Sequence, residues 1–259
     1  SREPYGKTIQ KPLAHQASPA ESEEGLNAHV SQRDLWRARL YVPNYRIREA
    51  ARYADLSAQT IASWHSRPGA NAKSTLSDKE KGAALSYLQL IEVAVVASFR
   101  KAGVSLKKIK AAREYLAKQL QAEHPFAEYR FKTDGRELWM DYAQFEASAG
   151  DRTLLVASQQ GQLAWSDIIG KLQEFEYEND GLAIRWHIGG IDRGVSIDPR
   201  IQFGAPAVEG VATWVFKGRW DAGEPLDDIA DDFGISNSAV LQALRFEGID
   251  PDAGRSARH

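Results

Sequence analysis

Residues 45–65 read Tyr-Arg-Ile-Arg-Glu-Ala-Ala-Arg-Tyr-Ala-Asp-Leu-Ser-Ala-Gln-Thr-Ile-Ala-Ser-Trp-His. The apolar positions Ile47, Ala50, Ala51 and Ala54 recur at three- and four-residue spacing, which predicts a helix. Asp55 is a turn residue that tolerates a left-handed backbone, and Leu56 is placed to plug the space between two crossing helices. Ser57 is a good N-cap, because its hydroxyl accepts from the free amides of the next turn. Ile61 and Trp64, three apart, face inward, so Ala58, Gln59, Thr60 and Ser63 face outward. Two short helices with a small, amide-bearing outer face suit a DNA major groove, where glutamine can read adenine and nothing bulky blocks approach. Arg46, Arg48 and Arg52 decorate the first helix where backbone phosphates would lie. The following loop, His65 to Lys73 with Arg67, Pro68 and Gly69, has the size of a wing. The expected DNA-binding residues are therefore Arg46, Arg48, Arg52, Ser57, Gln59, Thr60, Ser63, His65, Arg67 and Lys73.

Outward from this stretch, helical periodicity continues through Leu85, Leu88, Ile91, Val95 and Phe99 and closes with Ile109, Ala112, Arg113 and Leu116. The period then changes to two. Tyr129 and Phe131 alternate with charged residues before Asp134-Gly135, and Phe175 and Tyr177 do so before Asp180-Gly181, with Ile184, Trp186 and Ile188 beyond. This predicts a small antiparallel sheet, with a helix near Ser166–Leu172 between the two hairpins. Past Gly189-Gly190 and Ile197-Asp198-Pro199, helices are expected at Thr213–Trp220, Pro225–Asp232 and Ser236–Phe246. The last two form a second helix-turn-helix-like unit around Gly234, with Val240, Leu241 and Leu244 inward. The fold class is thus α+β. A disordered arm is expected at 1–34, a winged helix-turn-helix domain at 35–122, a β-rich middle at 123–194, a helical domain at 195–249 and a flexible tail at 250–259.

Charge sharpens this division. The 259 residues carry a formal net charge of −2, a whole-chain sum that by itself argues against a polyanionic partner. By segment, residues 1–34 hold 4 Lys/Arg against 5 Asp/Glu, residues 35–120 hold 16 against 6, and residues 121–259 hold 13 against 24. A +10 block inside an otherwise acidic chain is the footprint of a nucleic-acid-facing part joined to a part with another task. The second helix pair has the wrong sign for that role: Glu224, Asp227, Asp228, Asp231 and Asp232 would repel phosphates, so it reads as a protein-contact or dimerisation surface.

Several functions are excluded or lack support. With no cysteine there is no disulfide, zinc finger, iron–sulfur cluster or thiol nucleophile. No apolar run approaches membrane length, and a cytoplasmic location is expected. The carboxylates Asp192, Asp198, Asp227, Asp228, Asp231 and Asp232 have no accompanying histidine, so no metal site is assigned. His187 reads as a surface histidine. There is no Gly-x-Ser-x-Gly, no His-Glu-x-x-His, and no Gly-Lys-Ser/Thr after Gly189-Gly190. No catalytic residue, enzyme activity or cofactor is expected.

The order Tyr-x-Ile-x-Glu-Ala-Ala, Leu-Ser-x-x-Thr-Ile-x-x-Trp, Leu-Ser, Leu-x-Leu-Ile-Glu and Arg-Lys-Ala-Gly-Val-Ser-Leu-Lys-Lys-Ile-Lys over residues 45–120 resembles the winged-helix domain of the MerR regulators. That resemblance implies DNA contact by Ser57, Gln59, Thr60 and the wing's basic residues. MerR proteins continue into a long dimerising helix, whereas this chain continues into a β-rich segment. Residues 195–246, with Asp198-Pro199-Arg200-Ile201 and Gly204-x-Pro206-x-Val208-x-Gly210, resemble a small family of helical antitoxin domains encoded beside PIN-like ribonuclease toxins. Together the two parts look like the larger VapB-type antitoxins. The resemblance implies an antitoxin that neutralises a PIN-like ribonuclease and represses its own operon on double-stranded operator DNA, as a homodimer on a palindromic site. PIN-type nucleases cluster carboxylates around a divalent metal, so an inserted arginine would compete with that metal. Arg255 and Arg258 on the tail are the toxin-contact candidates. The alternative is a MerR-like ligand-responsive regulator without a toxin, with a pocket lined by Trp139, Trp165 and Trp186.

Overall fold

The computed structural model describes residues 35–67, 74–77, 79, 82–128 and 172–251. The arm 1–34, wing residues 68–73 with Lys73, the Tyr129–Met140 hairpin, Trp139, Trp165, all but the last residue of the Ser166–Leu172 helix, and Arg255 and Arg258 lie outside these residues. The described architecture is α+β: six helices, a five-stranded antiparallel sheet and three further helices.

The first helix pair forms for local reasons. Helix α1 (Leu35–Arg39) leads into α2 (Ile47–Ala54), whose first turn is closed by Glu49 Oε2 accepting from the Arg46 amide at 2.7 Å. Asp55 ends α2 in the left-handed region at φ 54°, and its amide reaches back to Ala51 and Arg52. Ser57 then caps α3 (Ala58–Trp64), accepting from the Thr60 amide at 3.0 Å. Ala50, Ala51, Ile61 and Trp64 are buried between the helices. A bridge between Tyr45 and Leu85 closes the loop that follows α3.

Helix α4 (Tyr87–Lys101) starts at Ser86 with a reciprocal cap, Ser86 accepting from the Gln89 amide and Gln89 from that of Ser86. It is buried from Tyr87 through Ser98 except at Gln89, as expected of a helix apolar on every side that serves as the central core element. Helices α2, α5 (Leu106–Leu120) and α6 (Pro125–Glu128) pack around it.

The sheet is a meander in chain order: β1 (Phe175–Tyr177), β2 (Ala183–His187), β3 (Ser196–Ile197), β4 (Ala207–Val208) and β5 (Val211–Ala212). Phe175 lies opposite Trp186, their rings stacked at 6.0 Å, and a bulge at Glu176/Tyr177 precedes the tight turn at Asp180-Gly181. The sheet continues through the domain boundary expected at 194/195, because β2 pairs with β3 through Trp186–Ile197 and His187–Ser196. Three of its five strands therefore belong to the segment expected to be helical. Each is two residues long, too short to show alternation.

Helices α7 (Thr213–Asp221), α8 (Leu226–Phe233) and α9 (Asn237–Phe246) follow the sheet. Gly234 turns α8 into α9 at φ 63°, and Ser236 caps α9. Val240, Ala243 and Leu244 are fully buried, while Leu241 is only half-buried.

The C-terminal part is tied to the first helices at a continuous seam. Tyr45 Oη donates to the Gly204 carbonyl at 2.9 Å, Asn44 to that of Phe203, and Arg39 to that of Pro199 while its guanidinium lies over the Phe203 ring. The Asp-Pro-Arg-Ile motif organises this seam. Asp198, buried, accepts from Arg185 and from the backbone and side chain of Arg200. Burial pushes its carboxyl up, but the Arg200 hydrogen bonds and the charges of Arg200 and Arg185 outweigh that and hold it below its ordinary value.

Candidate nucleic-acid interface

On α3, Ser57, Gln59 and Ser63 are exposed and Thr60 is half-buried. Their chemistry is not equivalent. The hydroxyls of Ser57 and Thr60 share a 2.8 Å hydrogen bond, and Ser63 donates to the Thr60 carbonyl at 2.7 Å. These hydroxyls are largely spent on the helix itself. Gln59 makes no side-chain hydrogen bond among the described residues, so both ends of its amide face solvent. Arg46 and Arg48, exposed at the start of α2, make no ion pair there, and Arg67 is exposed beyond α3. Gln59, Arg46 and Arg48 are the functional groups this surface leaves available.

Two residues expected on this surface are placed elsewhere. His65 is 5% exposed, its Nδ1 donating to the Ser77 carbonyl at 2.8 Å. Burial pushes its pKa down, against the Ser77 bond, so the ring is a neutral strut behind α3. Arg52 turns away from α3. Its guanidinium lies over Phe246 at 4.7 Å and reaches Glu247 Oε2 and the Phe246 carbonyl, each at 3.4 Å, so it belongs to the seam with α9.

A buried ionic group behind the helix pair escaped the sequence reading. Glu92, fully buried on α4, accepts from Arg113 Nε at 2.9 Å and Nη2 at 3.1 Å on α5, and lies 3.2 Å from His124 Nδ1 before α6. The signal was present: Glu92 sits four residues after Leu88 and three before Val95, on an otherwise apolar stripe.

The second helix pair keeps its acidic face. Asp227, Asp228, Asp231 and Asp232 are exposed, and Arg219 bridges Glu224 and Asp232. His187 Nε2 lies 2.6 Å from Glu176 Oε1. Among the described residues, no three His, Asp or Glu side chains group as a metal would require, and no helix is long and apolar enough to cross a membrane.

The described residues thus bring together a helix pair with a polar outer face and an acidic helical unit, joined through the sheet and the seam at Asp198. The chain is 30% identical over 227 residues to the protein of Mycobacterium tuberculosis (strain ATCC 25618 / H37Rv) named "Putative antitoxin VapB45", covering 80% of this chain and 94% of that protein. The crystal structure of Rv2018 from Mycobacterium tuberculosis shares the fold, with a TM-score of 0.58 and 24% identity over 80% of this chain and 99% of that one. No protein-family model matches. The chain belongs to the VapB-type antitoxin family.

Proposed function

We propose that this chain is the antitoxin of a type II toxin–antitoxin pair, which neutralises a PIN-like ribonuclease by direct binding and represses its own operon on double-stranded operator DNA. Family membership supports the antitoxin role. The DNA-binding half rests on one observation above others: α3 presents Gln59 with an uncommitted amide, and Arg46 and Arg48, at the start of the helix packed against α3, make no ion pair among the described residues. In the proposed complex Gln59 reads a base edge in the major groove, while Arg46, Arg48, Arg67 and Lys73 hold phosphates, with a MerR-like wing at residues 66–73. Ser57, Thr60 and Ser63 act mainly by shaping the helix. The acidic α8–α9 unit contributes the homodimer contact that places two readers on a palindromic site in the cytoplasm. Arg255 and Arg258 approach the toxin's carboxylates.

Fluorescence anisotropy on duplexes from the DNA upstream of the operon tests the DNA half. Replacing both Gln59 and Arg67 by alanine removes one base contact and one phosphate contact, so binding weakens by about tenfold or more. Unchanged affinity in the folded variant would remove α3 as the reader. For the toxin half, a chain carrying Arg255→Ala and Arg258→Ala that still blocks the ribonuclease at equal molar ratio would end the role of the tail.

A further inference from the structure

Phe203 is the most exposed large apolar side chain among the described residues, at 70%. It does not hang from a loose loop. Gln202 and Phe203 both sit in the left-handed region, at φ 47° and 54°, a conformation that costs an L-residue free energy and persists only where the surroundings enforce it. Here they do: the Gly204 amide donates to the Ile201 carbonyl at 2.8 Å, the Ala205 amide to that of Gln202 at 3.0 Å, and the Gln202 side chain to that of Gly210 at 3.0 Å. Asn44 and Tyr45 hold the loop from the first unit, through the carbonyls of Phe203 and Gly204. A strained backbone is thus fixed so as to keep a ring in water, an arrangement that buries nothing in the monomer.

The ring is part of a larger patch. The Arg39 guanidinium lies over it at 4.2 Å and Asn44 reaches its carbonyl at 3.0 Å, so residues 39–44 run alongside it. Between these two ties Tyr41 and Val42 are 61% and 53% exposed, and Pro43 is exposed as well. Aromatic side chains and arginine clustered in this way are the composition of a protein–protein contact. Charge decides what covers it. Arg39 has no carboxylate partner among the described residues. Gln202 ties the same loop to Gly210, and its neighbour Glu209 is exposed and also makes no ion pair there. One spare cation and one spare anion therefore accompany the exposed ring. A partner of a single sign would leave one of them unanswered, whereas a second copy turned about a two-fold axis answers both, since residue i then meets j and j meets i.

We infer that the Phe203 patch is a self-association surface, on which a second copy of this chain docks with Phe203, Tyr41 and Val42 at the centre and Arg39 of each copy paired with Glu209 of the other. The contact is separate from the α8–α9 unit and holds whether or not the chain reads DNA.

Sedimentation equilibrium of the full-length chain over a range of concentrations tests it. Phe203→Asp, at a backbone conformation that aspartate accepts readily, removes the ring and halves the mass reached at saturation, whether this contact acts alone or the α8–α9 unit pairs the chains as well. Arg39→Glu and Glu209→Arg each set like charges against one another and weaken association by about tenfold or more. The two together restore opposite charges and regain most of that loss. Circular dichroism shows whether each variant folds, and the charge pair decides the matter if Phe203→Asp does not. A wild-type chain that stays monomeric at the highest concentration reached, a mass indifferent to Phe203→Asp, or losses that simply add in the double variant each overturns the inference. Association lost in Asp228→Lys but kept in Phe203→Asp would place the second copy on α8 instead.

Discussion

Glu92→Leu tests what holds the back of the first helix pair together. The wild-type carboxylate is fully buried and is satisfied by two Arg113 nitrogens and His124. Leucine matches its bulk but strands the Arg113 guanidinium, whose side chain is only 14% exposed and which keeps just the Glu123 carbonyl as a partner. Breaking a buried pair from one side costs about 3–5 kcal/mol, and the remaining carbonyl and partial exposure place this case near the lower bound, about 3 kcal/mol. For a chain of this size that is a fall in Tm of roughly 6–12 °C. Thermal and urea denaturation followed by circular dichroism measure it. Glu92→Gln, which keeps an acceptor, loses only about 1–2 kcal/mol. The double variant Glu92→Leu with Arg113→Met removes the stranded charge and regains at least about 2 kcal/mol over Glu92→Leu alone. A loss under about 1 kcal/mol for Glu92→Leu, or strict additivity in the double variant, would refute the assignment of Glu92 as the hub.

Stability should fall with acid in two windows. His65 is held below its ordinary 6.5, so the unfolded chain binds the extra proton and stability drops as pH falls through about 6.5; His65→Asn, which keeps a donor for Ser77, flattens that slope in denaturation series. Asp198 is likewise held below 3.8, so its contribution persists above that value and is lost only as pH falls further, a loss absent in Asp198→Asn. Gly204→Ala forces a side chain at φ +80° with its Cβ 2.2 Å from Tyr45 Oη; it destabilises by at least about 1–2 kcal/mol for the backbone alone, and adding Tyr45→Phe recovers part of the remainder, whereas no recovery would dissociate the two residues. In DNA titrations, Arg46→Ala and Arg48→Ala each lower the slope of log affinity against log salt by about 0.9 without changing sequence preference; an unchanged slope would place phosphates elsewhere.

The helix pair was legible because its determinants are local. Asp55, Ser57, Ile61 and Trp64 act within one or two turns, and the structure shows each in the conformation or burial that its position implies. The same holds for Gly234 and Ser236 between α8 and α9. What failed depended on partners far away in the chain. Arg52 shares a helix with the exposed Arg48, and nothing within that helix shows that Phe246 and Glu247 meet one and not the other. His65 follows the outward-facing Ser63 by two residues, and the ring turns inward because the Ser77 carbonyl waits there. The strands after residue 194 are too short for periodicity, while the Asp198 motif, read as a family mark, has a structural meaning visible only once Arg185 and Arg200 converge on it.

The segmental charges acquire a spatial order from these contacts. The first unit carries a +10 surplus, but the seam and the core consume a particular subset of its cations: Arg37 pairs with Glu178, Arg39 covers Phe203, Arg52 takes Glu247, Lys101 takes Asp55 and Arg113 is spent on Glu92. Arg46 and Arg48 at the start of α2 escape this pairing. Three of these five cations, Arg37, Arg39 and Arg52, contact the C-terminal part, while Lys101 and Arg113 pair within the first unit. The acidic remainder therefore does more than offset the sum of charges. It takes up positive charge along the seam and leaves Arg46 and Arg48, on the helix that packs against α3, without an ion partner among the described residues. Arg46 and Arg48 are thus left to hold phosphates in the proposed operator complex, while the lysines of α5 add to the positive field that draws a polyanion to this unit.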